Sequence, residues 1–265
     1  MHHFGSEVRL AREAAGMSCE ALADLVPCNK GTVSRIEAGL SMPDRRFAEV
    51  CSETFRNPWF MRFWDDSQSW KVAAMFPVSL REFAAYEAEA TTLWLCEHSV
   101  IPGLLQVESY ARAAFERHPD TTPEQAAEMA SVRIARQDVL ARDRPPRVWV
   151  LIDEQALYRE VAEPAVMTDQ MRHLLAMARR PNITVQLIPR KRTNVALSGA
   201  FAVAETPETT VAYFDHQVEA TTTDSPATVA HLWARYDGLR TEAYRGTESL
   251  ELIEKSVDTW QATSS

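Results

Sequence analysis

The stretch Met17–Gly39, MSCEALADLVPCNKGTVSRIEAG, constrains the fold of this chain more than any other. It reads as two short helices joined by a tight turn. Leu22, Val26, Val33 and Ile36 fall where such a pair buries its facing sides. Ala23 is small where the helices must approach closely, and Cys28 serves as the apolar residue just past the turn. Asn29 starts the second helix as an N-cap, its side-chain oxygen accepting from a free N–H of the next turn. Gly39, after Ile36-Glu37-Ala38, is a C′ glycine in the left-handed conformation. Any amphipathic helical hairpin can bury Leu and Val at these spacings. Here the apolar positions, the small residue and both caps agree, and they describe a helix-turn-helix whose polar second helix is Asn29–Ala38.

Longer segments carry a resemblance. TVSRIEAG, preceded by SCEALADLV, resembles the XRE (phage repressor/Cro-like) family of DNA-binding domains, and FGSEVRLAREAAGMS resembles that family's first helix. Downstream, IPGLLQVESYARAAFE, VRIARQDVL, LIDEQALYRE and PNITVQLIPRKRTNVALSGAFAV resemble the C-terminal domain of actinobacterial WhiJ-like regulators. Together the two resemblances cover nearly the whole chain. The first implies that the N-terminal residues of the second helix enter the major groove of double-stranded DNA. Matched by position, the helix begins at Asn29 and the base-edge candidates are Lys30, Gly31, Ser34 and Arg35. Lys30 and Arg35 can donate to guanine O6 and N7. Gly31 has no side chain to read with, and Thr32 can meet a phosphate or a thymine methyl. Ser18 and Cys19 mark the start of the preceding helix, whose free N–H groups can hold a phosphate. Arg45, with Arg46, can grip the backbone. The second resemblance implies a small companion protein encoded nearby, in an antitoxin-like or developmental arrangement. Two residues depart from the XRE pattern. Pro27, with φ fixed near −65°, stands where the family usually has a turn glycine. Cys19 replaces the glutamine that often bonds the phosphate or the recognition helix.

A net charge of −9 weighs against a nucleic-acid partner until it is mapped along the chain. Residues 1–64 carry eight Lys/Arg and eight Asp/Glu, so the whole deficit, 20 basic against 29 acidic, belongs to residues 65–265. A neutral domain with a few aimed cations can bind DNA, with weak non-specific affinity because that term scales with the phosphates neutralised. The acidic remainder discourages indiscriminate binding.

The expected organisation is an all-α helix-turn-helix domain over 1–66, a linker over 67–78 that follows from the polar run DDSQSWK (residues 65–71), and an α+β domain over 79–265. In the first, a helix over 4–15 should bury Val8, Ala11, Ala14 and Ala15 and leave Arg9 and Arg12 outside. A loop over Leu40–Pro43 should lead to a helix near Asp44–Phe55, and Trp59, Phe60, Phe63 and Trp64 should close the core. In the second, helices are expected over Leu80–Cys96, Leu104–Arg117, Glu124–Arg142 and Met167–Arg179. Strands are expected over Arg147–Ile152, Ile183–Ile188, Ala200–Ala204 and Val211–Phe214, with one more over Val218–Thr222. Helices over Ala227–Leu239 and Ser249–Trp260 end the pattern, giving a small sheet flanked by helices.

Little in the C-terminal part points to chemistry. Its histidines show no metal spacing, and no GxSxG, P-loop or GxGxxG occurs. Asp153-Glu154 more simply caps a helix than catalyses. Arg133, Arg136 and Gln137 repeat on one helix face that can meet an anionic ligand or an acidic partner, though a solvated face is the simpler reading. IPGLLQ (101–106) is most simply a buried turn. Cys19, Cys28, Cys51 and Cys96 form no CxxC pair and read as small apolar residues in a reducing compartment. No apolar run approaches the ~20 residues of a membrane span, and the N-terminus lacks a signal-peptide core. The expectation is a cytoplasmic, non-enzymatic DNA-binding regulator, dimeric on a two-fold operator, with no cofactor or metal. Two alternatives remain open: a protein-interaction module with little DNA binding of its own, and a small-molecule sensor.

Overall fold

Three of the N-terminal helices begin on a side chain that satisfies one of their own free N–H groups. In the computed structural model, which describes residues 2–26, 28–41, 43–61, 64, 76, 78–119, 121–190, 199–215 and 220–264, Ser18, Asn29 and Asp44 accept from the amides of Ala21, Thr32 and Phe47 at 3.0, 2.9 and 2.7 Å. They head α2 (Cys19–Ala23), α3 (Lys30–Glu37) and α4 (Arg45–Thr54), which follow α1 (His2–Ala14). Gly39, at φ +71°, ends α3. Its N–H reaches the carbonyl of Ile36 and that of Leu40 reaches Arg35, at 2.9 and 2.8 Å, which is the expected left-handed C-terminal cap. Phe4, Val8, Leu22, Val33, Ile36, Phe47, Cys51 and Phe60 form the core. Phe4 meets Trp59 and Phe60 in ring contacts, so the described aromatics serve packing.

The inner face of α1 differs from expectation. Ala14 and Ala15 are exposed, and Arg12 is buried at 8% exposure. The stripe runs Phe4, Val8, Arg12, one residue every four, so the arginine stands on the apolar side. Gly5 lies against the end of α3, where a Cβ would come within 2.2 Å of the Ile36 carbonyl oxygen. The turn residue Pro27, Met42 in the loop, Phe63, residues 65–66 of the expected first domain, and residues 67–75 and 77 of the expected linker lie outside the described residues.

The chain divides into two compact units, Met1–Ala73 and Ala74–Ser265. The second is built on one six-stranded mixed sheet in the order β3-β2-β1-β4-β5-β6. Strands β1 (Thr92–Glu97), β2 (Arg147–Asp153) and β3 (Ile183–Ile188) are parallel, while β4 (Phe201–Glu205), β5 (Thr210–Asp215) and β6 (Ala220–Thr223) add on antiparallel from β1. Both faces of the sheet are covered. Leu93, Leu95, Val148, Val150, Val185 and Leu187 pack on the side of α5 (Val78–Glu89), α8 (Pro164–Ala178) and α10 (Gly246–Thr263). Cys96, Leu151, Ile188 and Val203 pack on α9 (Pro226–Glu242). Burial from both sides explains why RVWVLI and ITVQLI read as continuous apolar runs.

Three expected helices are corrected. The one over Leu80–Cys96 stops at Glu89, and its last residues are β1, the centre of the sheet. Leu93 and Leu95 face one core while Cys96 faces the other, a period of two that the helical register of Phe83, Tyr86 and Ala90 masked. Leu104–Arg117 resolves into a 3₁₀ turn, Gly103–Leu105, and α6 (Glu108–Glu116). Glu124–Arg142 resolves into α7 (Pro123–Ala135) and a 3₁₀ segment, Arg136–Leu140. The α+β class itself agrees with the sequence, and β6 begins at Ala220, with residues 218–219 of the expected last strand outside the described ones.

Candidate nucleic-acid interface

Burial of Val33 and Ile36 decides which side of α3 faces outward. With those two turned to the core, Asn29, Lys30, Gly31, Ser34 and Arg35 are exposed and Thr32 is half-buried. Positions 30, 31, 34 and 35 recur at one helical turn, so the structure brings the base-edge candidates onto one face. Among the described residues, Lys30 and Arg35 enter no ion pair, and their cationic heads are available to an external acceptor. No acidic residue lies in the first turn of α3. Lys30 there opposes the positive end of the helix dipole, a local cost typically of ~0.3–1 kcal/mol that an approaching anion would relieve.

The other candidates are held differently. Arg45 Nε donates to Glu49 Oε1 at 3.0 Å and Arg46 Nη1 to Glu49 Oε2 at 3.4 Å. A phosphate must therefore compete with one carboxylate for both arginines; both remain well exposed, and such surface pairs are weak. The Ser18 hydroxyl oxygen is engaged as the cap of α2. The Cys19 thiol faces the Glu37 carboxylate, with Sγ 3.8 Å from Oε2. Cys19 thus ties α2 to the end of α3 instead of reaching outward.

That carboxylate is the centre of the scaffold. Arg12 of α1 holds it with two hydrogen bonds, Nε to Oε1 at 2.6 Å and Nη2 to Oε2 at 2.9 Å, and Nη1 donates to the Met17 carbonyl at 2.8 Å. The hydrogen bonds to Glu37 raise the Arg12 pKa above its ordinary value against the opposing effect of burial. Glu37 sits in the last turn of α3, where a bare carboxylate would oppose the dipole, and the guanidinium offsets it. Sequence reading missed this pair because it assigned a charged residue to the solvent side. The position of Arg12 eight residues after Phe4 and four after Val8 was the available signal.

Cys51 is buried and its thiol pKa is pushed up to about 12, chiefly by desolvation; Cys28 is half-buried and raised for the same first reason. Neither is an activated thiolate. Among the described residues, no group of three or more His, Cys, Asp or Glu is placed to hold a metal, and no helix is long and apolar enough to cross a membrane.

In the second unit, Arg133, Arg136 and Gln137 do not form the solvated face expected of them. Arg136 grips the buried Glu87 through two hydrogen bonds of 2.9 Å. Gln137 Nε2 donates to the carbonyls of Gly103 and Gln106 at 3.3 and 2.7 Å, and Arg133 Nη1 to Gln106 Oε1 at 2.9 Å. The segment IPGLLQ is a buried turn as expected, with Ile101, Leu104, Leu105 and Gln106 all buried. Asp153 accepts from the Gln155 amide at 2.8 Å as the cap of a 3₁₀ turn.

Residues 3–56 match the model of a family described as a helix-turn-helix domain, and residues 80–255 match that of a domain of unknown function, DUF5753. No curated protein and no solved structure matches the chain.

Proposed function

The chain belongs to the DUF5753 family, and from that premise, with a helix-turn-helix domain ahead of the family's own segment, we propose that it is a sequence-specific DNA-binding transcriptional regulator of XRE type. Residues 1–66 read double-stranded DNA, 67–78 connect, and 79–265 regulate, with no catalytic step assigned to either half. One observation carries the reading: the exposed face of α3 presents Lys30, Ser34 and Arg35 together, on a helix capped at both ends and braced by Arg12 and Glu37. Such a helix offers donors at fixed positions to base edges in a major groove. Few phosphate-directed cations accompany it, so affinity comes from pairing two domains; the protein acts as a cytoplasmic homodimer on a two-fold operator. The resemblance of its later segments to WhiJ-like regulators supports a repressor with a small companion protein, in an antitoxin-like arrangement.

The test recovers bound fragments from a genomic DNA pool with the purified full chain, then measures binding by fluorescence anisotropy. Arg35→Ala should weaken the selected site by roughly 5- to 150-fold, the worth of one good base contact at ~1–3 kcal/mol, with the fold intact. Unchanged binding would remove α3 as the reading helix.

A second reading has one observation in its favour: Glu49 engages both Arg45 and Arg46, leaving a neutral unit with few free cations. In that case the helix-turn-helix contacts protein. Salt separates the two, because a DNA complex loses affinity steeply as salt rises.

A further inference from the structure

The second unit contains a cavity of about 180 Å³ between the buried turn 101–106, α5, α7 and the sheet. Its size is near that of an engineered ~150 Å³ apolar cavity that accepts a benzene ring. Phe83, Leu95, Ile101 and Leu104 supply apolar wall. Against that wall stands Arg133, an unusual companion. Its guanidinium lies over the Phe115 ring, 4.0 Å from the centroid, and Nη1 donates to Gln106. Its Nε–H is sealed from solvent and has no hydrogen-bond partner among the described residues. A buried donor left unmade is costly, and native structures seldom keep one without a use.

The charged residues that line the cavity are two of each sign, Glu87 and Glu97 with Arg133 and Arg136. Arg136 and Glu87, which also line it, close on each other in a two-bond pair. Arg133 keeps Glu97 as an opposing charge and Arg136 as a like one. Desolvation pushes its pKa down to about 10, helped by Arg136 and only partly opposed by Glu97.

The surroundings are also fixed in advance. Gln106 Nε2 donates to the Ile101 carbonyl at 2.6 Å, and Gln137 holds the Gly103 and Gln106 carbonyls. Gln170 clamps the following residues, accepting from the Val107 amide at 2.8 Å and donating to the Leu105 carbonyl at 2.7 Å. The turn that shapes the wall cannot relax to satisfy Arg133 by itself. This is the arrangement of a preorganised binding site, with one charged anchor held by packed neighbours.

We propose that this cavity binds a small apolar carboxylate, its acid group accepting from the Arg133 guanidinium and its ring or short chain filling the space between Phe83, Leu95 and Leu104. A charge-assisted hydrogen bond from a buried guanidinium is among the strongest available to so small a ligand. The proposal concerns the second unit alone and stands whether or not the first unit binds DNA.

The test is thermal unfolding of the purified full chain, without DNA, in benzoate, phenylacetate or hexanoate, in the matching amides, and in inorganic phosphate. At a hundredfold excess over Kd, an acid that fits should raise the transition of the second unit by about 5–10 °C. The amides and phosphate should give far less. Arg133→Gln should abolish the acid-dependent shift, and Arg133→Lys, which keeps the charge and loses the fork, should reduce it. Val100→Phe adds a ring at the cavity's lining and keeps Arg133 itself, and it should also remove the shift, which serves if Arg133→Gln does not fold. Equal shifts from acids and amides, a phosphate shift as large as the acid shift, no shift from any acid, or an acid shift that survives Arg133→Gln or Val100→Phe would each overturn the proposal.

Discussion

Replacing Glu37 by Gln should loosen the whole N-terminal unit, although no residue of the proposed DNA-reading face changes. The carboxylate has only 8% of its side chain exposed and Arg12 only 10%, and the two are joined by hydrogen bonds of 2.6 and 2.9 Å. Removing one member of such a pair leaves a buried charge unmatched and costs about 3–5 kcal/mol. The Gln amide oxygen can still accept one of the two bonds, so the lower figure, about 3 kcal/mol, is expected. A domain of this size holds only ~3–9 kcal/mol in total, at ~0.05–0.15 kcal/mol per residue. Hydrogen exchange followed by mass spectrometry reads this directly in the full chain. The slowest amides of α1 and α3 should exchange about 100-fold faster in Glu37→Gln, while those of the sheet stay unchanged. The double substitution Arg12→Met with Glu37→Leu removes both charges and their desolvation, and should recover most of the protection. Protection in Glu37→Gln within a factor of about two of the native chain would refute the reasoning. So would a double variant as loose as the single one, since packing would then carry the energy.

Two further perturbations follow from the same physical grounds. Gly5→Ala would place a methyl 2.2 Å from the Ile36 carbonyl oxygen and 2.7 Å from that of Glu37, both backbone atoms, so α1 must shift; calorimetry should show the first unit destabilised by about 1–3 kcal/mol, and an unchanged transition would mean the contact is not made. Cys96 is buried under α9 and its thiol is pushed from 9.0 up to about 12, mainly by desolvation. Below pH 9 the thiol keeps its proton in both states and the stability is full. Between pH 9 and 12 only the unfolded chain releases it, so the second unit should lose about 1.4 kcal/mol per pH unit from this group, and Cys96→Ala should flatten the slope.

What could be read from the sequence was what local rules govern. The Asn29 N-cap, the Gly39 terminus of α3 and the apolar positions Leu22, Val33 and Ile36 each depend on residues a few places apart, and each is where reading placed it. Strands buried on both faces, such as Ile183–Ile188, declared themselves as apolar runs. What escaped depends on distant partners. Arg136 reads as a solvated residue until Glu87, 49 positions away, is brought to it. Arg12 likewise needs Glu37, 25 positions on. Thr92–Glu97 escaped for a different reason: a helical period in α5 runs directly into it, with only Ala90 and Thr91 between.

The place of β1 in the sheet also sets the order in which this protein can be made. It is the first strand to be synthesised and the one in the middle, bonded to β2 on one side and β4 on the other. Its second neighbour ends at Glu205, about 110 residues after Glu97. At a synthesis rate of ~5–20 residues per second, that edge stays unpaired for roughly 5–20 s on the ribosome. The helix-turn-helix unit, whose described core lies between Phe4 and Trp64, is complete long before. A newborn chain thus carries a finished first unit beside an open, apolar strand edge, a template for mispairing that only the arrival of residues 201–205 closes.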